Sequence, residues 1–261
     1  MEAVPAVWDE PRIDWAAFDL VVVRSTWDYA ERRAQFLDWI ASLPRVLNPP
    51  AVLAWSTDKE RYLTDLAAAP RSVPVVPTEF VAPGAAFAPP AEPFVVKPAV
   101  SAGGRSSARF GAGDASAGAL VRRIHTDGRV AMVQPDLGDV TETALVYLDG
   151  SYSHAVRRRV PLPRARARDA LYLDEELGPG AATREEQAIA EAALAAAPGP
   201  ILYGRVDLAA GFVVELELAE PSLYLGFAGG AAERFAEAIA REAASSQRRR
   251  ISAENGPTTH Q

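Results

Sequence analysis

Phe94-Val95-Val96-Lys97-Pro98-Ala99-Val100-Ser101-Ala102-Gly103-Gly104-Arg105-Ser106-Ser107 is the stretch on which the reading of the fold turns. Three apolar residues closed by a proline read as a buried strand with Lys97 at its mouth. Lys97 and Lys59 are the only lysines among 27 basic residues; the others are arginine. In an Arg-biased chain, a retained lysine points to a task that suits a compact ammonium and not a planar fork, such as bridging phosphate oxygens. The turn that follows is rich in Ser and Gly. Gly103 and Gly104 let the backbone come close to an anion and aim its N–H groups there.

Toward the N-terminus, Phe18–Val23 reads as a continuous buried strand of a parallel or mixed sheet. Arg24-Ser25-Thr26-Trp27-Asp28-Tyr29 follows at its carboxyl end, where open α/β sheets bind ligands. Arg24, Ser25, Asp28 and Tyr29 are therefore candidates for gripping a substrate. Glu31–Leu43 is expected as an amphipathic helix with Phe36, Leu37, Ile40 and Leu43 inward. Asp58 is placed to cap a helix over Lys59–Ala68.

Toward the C-terminus, Asp114 is expected to cap a helix reaching His125, and Arg129–Gln134 reads as a strand. Glu142–Leu148 and Ser151–Arg157 alternate around Asp149-Gly150, a hairpin signal. Residues 183–197 read as an Ala-rich helix and 231–244 as the last one. The tail from Ser245 has no apolar period and is expected to be unstructured.

A second hairpin joins Arg205–Leu208 to Phe212–Leu218. Glu215 and Glu217 are spaced to share a strand face, as are Arg205 and Asp207. Crowded like carboxylates call for a divalent cation. Whether the four groups meet depends on the turn: an odd-length loop pairs Arg205 with Glu215 on one face, and a two-residue loop at Ala210-Gly211 puts the pairs on opposite faces. The arginine run Arg157, Arg158, Arg159, Arg164, Arg166 and Arg168 offers Arg157 or Arg158 to the phosphate region and the rest to solvent.

Composition narrows the function. The chain has 261 residues, a formal charge of −7 and no cysteine. Thiol nucleophiles, disulfides and thiolate metal sites are excluded. The acidic balance argues against nucleic acid. His125, His154 and His260 lack ligand spacing, so a metal should be a hard cation on oxygen. No stretch has the length of a membrane span or the pattern of a signal peptide, and a cytoplasmic protein is expected.

The order of RSTWDY, DK opening a helix, FVVKP, the Ser/Gly loop, VQPDL, ETALVYLDG-SYSHAV, RVDL and VVELELAEPSL, spread over residues 8–240, resembles the ATP-grasp ligases. It is most similar to the cyclo-ligase branch that closes O-ureido-D-serine. The resemblance implies an ATP-grasp fold of α/β and α+β class, with two α+β subdomains sandwiching ATP behind a shortened α/β domain. The boundaries expected are 1–69, 70–130, 131–244 and a tail 245–261. It also implies ATP and Mg2+ as cofactors. Lys59 and Lys97 would hold phosphates under a mobile loop, Ser101–Ser106, that includes Gly103 and Gly104. Gln134, Pro135, Asp136 and Leu137 would receive adenine, Glu142 would face the nucleotide, and Arg157 would lie by the phosphates. Asp207, Glu215 and Glu217 would hold Mg2+, Glu217 standing where the wider family often has asparagine. Arg205 and Lys97 would be catalytic. The partner would be a small carboxylate or amine, and a homodimer is compatible with the resemblance. Relatives usually begin with a further strand and helix before the segment matching Ala6–Asp9, so either the start is mis-assigned or one strand of the N-terminal sheet is lacking. A kinase of the same fold and a non-catalytic nucleotide binder are the rival readings.

Overall fold

The computed structural model describes residues 2–71, 73–159 and 175–254, those from 246 onward as backbone alone. The N-terminal segment holds β1 (Val21–Val22), α1 (Arg33–Ser42) and β2 (Val46–Leu47), then α2 (Pro50–Ser56) and α3 (Lys59–Ala68). β1 and β2 pair in parallel as a two-stranded sheet. The strand expected from Phe18 is shorter because a helical turn, Trp15–Ala17, capped by the Asp14 side chain, occupies the chain just before it. Phe36 and Ile40 of α1 pack with Trp8, Val23, Tyr29 and Leu43 in an aromatic-rich core. Asp58 caps α3 as expected, accepting from Arg61 N.

A four-stranded antiparallel sheet follows, built from β3 (Glu79–Val81), β4 (Phe94–Pro98), β5 (Ala108–Phe110) and β6 (Ala131–Pro135), in the order β3-β6-β4-β5. One face is covered by α4 (Ala117–Thr126), whose Leu120, Val121 and Ile124 meet Phe94, Val96 and Phe110. Asp114 accepts from Ser116 N just ahead of this helix.

The third part contains β7 (Glu142–Leu148), β8 (Ser151–Arg159), β9 (Glu176–Gly180), α5 (Arg184–Ala195), β10 (Tyr203–Ala209), β11 (Phe212–Glu217) and α6 (Ala231–Glu254). Its five antiparallel strands run β11-β10-β7-β8-β9. Leu145 and Tyr147 face one core, while Val146 and Leu148 face the other against Phe235 and Ala238 of α6. Both faces of the sheet are thus covered, as its near-continuous burial requires. His154 accepts a structural role, with Nε2 3.0 Å from Leu223 O.

Three expectations are corrected. β6 pairs with β3 and β4, so the small subdomain extends past residue 130. α3 packs Tyr62, Leu63 and Leu66 into the core of the five-stranded sheet, not into the N-terminal core, so 1–69 does not close as a unit. The helix expected to stop at 244 continues through Glu254, because Ala, Glu and Arg sustain a helix without an apolar stripe. Arg164, Arg166 and Arg168 lie outside the described residues.

The N-terminal segment is stapled to the large sheet by buried Asn48. Its Nδ2 donates to Tyr203 O (2.9 Å) and Leu218 O (2.8 Å), and its Oδ1 accepts from Leu202 N (2.6 Å). The Tyr203 hydroxyl lies within 3.0 Å of Val23 O, Leu47 O and Ala219 O. The carboxyl end of β1 is thereby fixed beside the end of β11.

Candidate active site

The hairpin of β10 and β11 has the two-residue turn, with Ala210 and Gly211 at φ 50° and 82°. Ala209 faces Phe212 and Leu208 faces Val213, yet Asp207 faces Glu215 and Arg205 faces Glu217. Val214 is an extra residue, a β-bulge between Asp207 and Leu208 of the partner strand. Arg205 therefore faces Glu217, and not the Glu215 that an odd-length loop would have set opposite it. The opposite-face outcome tied to a two-residue turn is also overturned, because the bulge restores the parity that the turn removes. Val213 N donates to Pro74 O (2.8 Å) and Leu216 N to the Tyr62 hydroxyl (3.4 Å), so the bulge is held from both sides.

Asp207, Glu215 and Glu217 consequently present carboxylate oxygens within 4.8 Å of one another. Arg205 Nε and Nη2 grip Asp207 at 2.8 and 2.9 Å, and Nη2 also reaches Glu217 at 2.9 Å. Arg158 bridges Glu142 (3.0 Å) and Asp207 (3.1 Å). Lys59 Nζ meets Glu215 (3.1 Å) and donates to Ser101 O (3.1 Å). Burial would raise Glu215, but the Lys59 ammonium and the Arg158 guanidinium hold it at about 2. Glu217 sits at about 7: burial lifts it, Arg205 opposes, and the charges of Glu215 and Asp207 add to the rise. Glu142 is likewise raised by burial against the pull of Arg158. A cluster with a carboxyl kept from ionising by its neighbours suits a divalent cation on oxygen ligands.

Glu215, Glu217, Arg205, Arg158, Glu142 and Lys59 line one side of a cavity of about 580 Å³, with Asp207 buried behind them. Lys97 enters from β4 and forms no hydrogen bond or ion pair among the described residues. Burial pulls it below the ordinary lysine range, while Glu215 opposes. The Ser101–Ser107 loop contributes Ser101, Gly103 and Gly104 to the wall, with Gly103 and Gly104 at φ 64° and 69°. Arg105 ties the loop to Glu31 at 2.6 Å. Gln134, Pro135, Asp136 and Leu137 form the far wall. Gln134 donates to Thr78 Oγ1 (2.7 Å), and Asp136 accepts from Gly138 N (2.9 Å).

Other expected residues stand elsewhere. Arg157 points away, toward Thr143 and Glu186; its neighbour Arg158 faces the cavity, because successive strand residues alternate. Asp28 is spent on Arg32 and on Trp8 Nε1 (3.1 Å) and does not line the cavity. Ser25 is exposed. Arg24 lies just behind the wall, over the Tyr203 ring at 5.6 Å. Tyr29 does line the cavity, and its hydroxyl donates to Ser101 O (3.4 Å). Sequence reasoning passed over Glu220, a buried acid in the wall; its only signal was an acid between Ala219 and Pro221 close after the carboxylate strand.

Comparison with known proteins bears directly on this geometry. Residues 1–48 match the family described as D-cycloserine synthetase DcsG, N-terminal domain. The cycloserine biosynthesis protein DcsG of Streptomyces lavendulae is 36% identical over 269 residues, covering 89% of this chain and 86% of that protein. The chain belongs to the DcsG family. A crystal structure of D-cycloserine synthetase DcsG superposes with a TM-score of 0.77 at 34% identity, over 90% of this chain and 88% of that one. D-alanine–D-alanine ligase from Bacillus anthracis complexed with ATP shares the fold at 14% identity, with a TM-score of 0.60 over 92% of this chain and 82% of that one. The fold is ATP-grasp, and this DcsG-family chain is an ATP-dependent ligase. No described helix is long and apolar enough to cross a membrane.

Proposed function

We propose that this ligase activates an amino-acid-like carboxylate as an acyl phosphate and closes it onto a nitrogen of the same molecule, the ring closure suggested by the D-cycloserine synthetase name of its relatives. The observation that carries this reading is the cluster of three carboxylates, Asp207, Glu215 and Glu217, of which Glu215 and Glu217 share one cavity with the uncommitted Lys97. Phosphoryl transfer asks the protein for positioning and cations and little covalent chemistry.

In this reading Asp207, Glu215 and Glu217 hold Mg2+, whose charge offsets that of the phosphates. Lys59 and Lys97 bind phosphate oxygens, and the backbone of Ser101–Ser106 closes over them. Gln134–Leu137 receives adenine, with the Gln134 side chain fixed by Thr78. A substrate carboxylate oxygen attacks the γ-phosphorus of ATP, the bond to the β-phosphate oxygen breaks, and ADP leaves. The nitrogen then attacks the acyl carbon, phosphate departs with its oxygen, and the nitrogen proton passes to solvent. Arg205 Nη1 donates to Ser222 O (3.2 Å) and carries a second N–H for the charge that develops on the acyl oxygen.

The test is release of ADP and of phosphate from Mg-ATP against amino acids and their derivatives, O-ureidoserine included. Stimulation of both by one compound is the expected result. ADP without free phosphate would instead indicate a kinase. Turnover at the wild-type rate by Glu215→Gln would remove the metal assignment.

A further inference from the structure

Glu220 is 7% exposed, and its exposed sliver opens into the cavity. It forms no hydrogen bond or ion pair among the described residues. A carboxyl this deeply buried is ordinarily partnered, since leaving it bare costs solvation that nothing repays. It is also held firmly. Pro221 follows it, and the carbonyl of Ala219, just before it, lies 3.0 Å from the Tyr203 hydroxyl.

The surroundings narrow what would complete it. Glu220 is outside the group of carboxylates close enough to share a metal ion. Burial holds its carboxyl well above the ordinary range, with Glu217 and Glu215 adding to the rise and Arg205 and Arg24 opposing, so a further anion set directly on Glu220 is disfavoured. Adenine is expected at Gln134–Leu137, on the small sheet. Glu220 belongs instead to the end of the cavity facing the N-terminal segment, where its charge is felt by Tyr29 and Arg24. Arg24 does not come within ion-pair distance, and its own buried Nη1 has no partner. A bare acid in such a wall asks for a small cationic donor, whose charge would also return the carboxyl to its ionised form.

We infer that Glu220 binds the ammonium group of the substrate and so selects amino acids over plain carboxylic acids at this end of the cavity. In an α-amino acid one carbon separates the nitrogen from the carboxylate carbon. An ammonium on Glu220 therefore keeps the carboxylate in the same cavity wall region to which Arg205 and Glu217 contribute. The inference rests on the ligase reading above and names the group that fixes its substrate.

The experiment measures binding by calorimetry to the full chain with Mg2+ and a non-hydrolysable ATP analogue. The ligands are O-ureidoserine and its desamino counterpart, in which hydrogen replaces the ammonium. Wild type is expected to favour the amino compound by about 10- to 150-fold, the range of one charge-assisted hydrogen bond. Glu220→Gln should bind both compounds equally weakly and keep its affinity for the nucleotide analogue. Its melting temperature should match or exceed that of wild type, because an unpaired buried acid has gone. Retained preference in Glu220→Gln, or no preference in wild type while the nucleotide still binds, overturns the inference and leaves the ligase reading intact. A melting temperature lowered by more than ~5 °C would make Glu220 structural and also overturn it. Failure of wild type to bind the nucleotide analogue would overturn both.

Discussion

Around Asp207 each charge meets its opposite before any ligand arrives, whereas at the end of the cavity where Arg24 and Glu220 lie the charges stand unmatched. Asp207 is clasped by Arg205 and Arg158, Glu142 by Arg158, and Glu215 by Lys59. Glu220 is as deeply buried and lacks such contacts, and part-buried Arg24 leaves its Nη1 without a partner. The first region is finished by the chain itself, so its side chains are oriented in advance and little reorganisation accompanies charge development. The second is finished by what it binds, which is how a site distinguishes one small molecule from another.

The sharpest way to break this contrast is to unpair the finished end. Arg158→Met removes the guanidinium shared by Glu142 and Asp207 and leaves two buried acids short of a counter-charge. A loss of about 3–5 kcal/mol in urea unfolding is expected. A loss below about 1 kcal/mol would mean that the network is not prearranged.

Lys97→Met tests the same idea from the opposite side. Lys97 is buried without a partner, so its removal should leave stability unchanged or raise it slightly. ADP formation should fall by about 10³-fold, the scale seen when one preorganised electrostatic donor is lost. Stability and activity would thus move in different directions at one residue, which a purely structural lysine would not produce.

The pH dependence sharpens the comparison inside the carboxylate cluster. The folded value of Glu217, about 7, lies above its ordinary 4.5. Between those values the folded chain retains a proton that the unfolded chain has lost. Its contribution to stability therefore declines as pH rises from 4.5 to 7 and is flat above. Glu215, held at about 2, acts in the opposite sense: its contribution is present above 4.5 and is lost as pH falls toward 2. Thermal melts without metal should show a decline of about 2 kcal/mol between pH 5 and 7, allowing for the exposed part of Glu217. Glu217→Gln should reduce it, leaving the part due to Glu142 and Glu220, which burial also raises. A decline of the same size in that variant would point to another group.

The smallest effect is expected at Asp28. Its carboxylate serves Arg32 and Trp8 at a part-exposed position. Asp28→Asn should cost less than about 1 kcal/mol and leave the KM for the carboxylate substrate unchanged. A raised KM at constant stability would return Asp28 to the substrate pocket.

Much of the site could be read from the chain because its chemistry is local. Lys97 beside Pro98, Gly103-Gly104 and the Glu215/Glu217 spacing each carry their meaning within a few residues, and Asp149-Gly150 marks its hairpin by turn chemistry alone. What escaped depends on long-range geometry. Val214 looks like any other apolar residue of its strand, and only pairing with β10 makes it a bulge. Arg157 and Arg158 are indistinguishable in a run of arginines until the strand's facing is known. Glu220 reads as a loop acid, and its burial depends on the packing around Tyr203, whose hydroxyl ties the preceding Ala219 to distant Val23. The placement of α3 in the large core has the same origin: its apolar face does not say which sheet covers it.

The extra residue at Val214 works like a parity bit. A hairpin of this kind with a turn one residue longer and no bulge would display the same four charged groups on the same face. A hairpin that gained the residue and kept the bulge would bury its acids on the wrong side. Turn length and bulge must therefore change together if the three carboxylates are to stay on one face. An engineer who transplants this carboxylate strand must carry the irregularity with it, since copying the residue order on a regular ladder would reproduce the letters and lose the site.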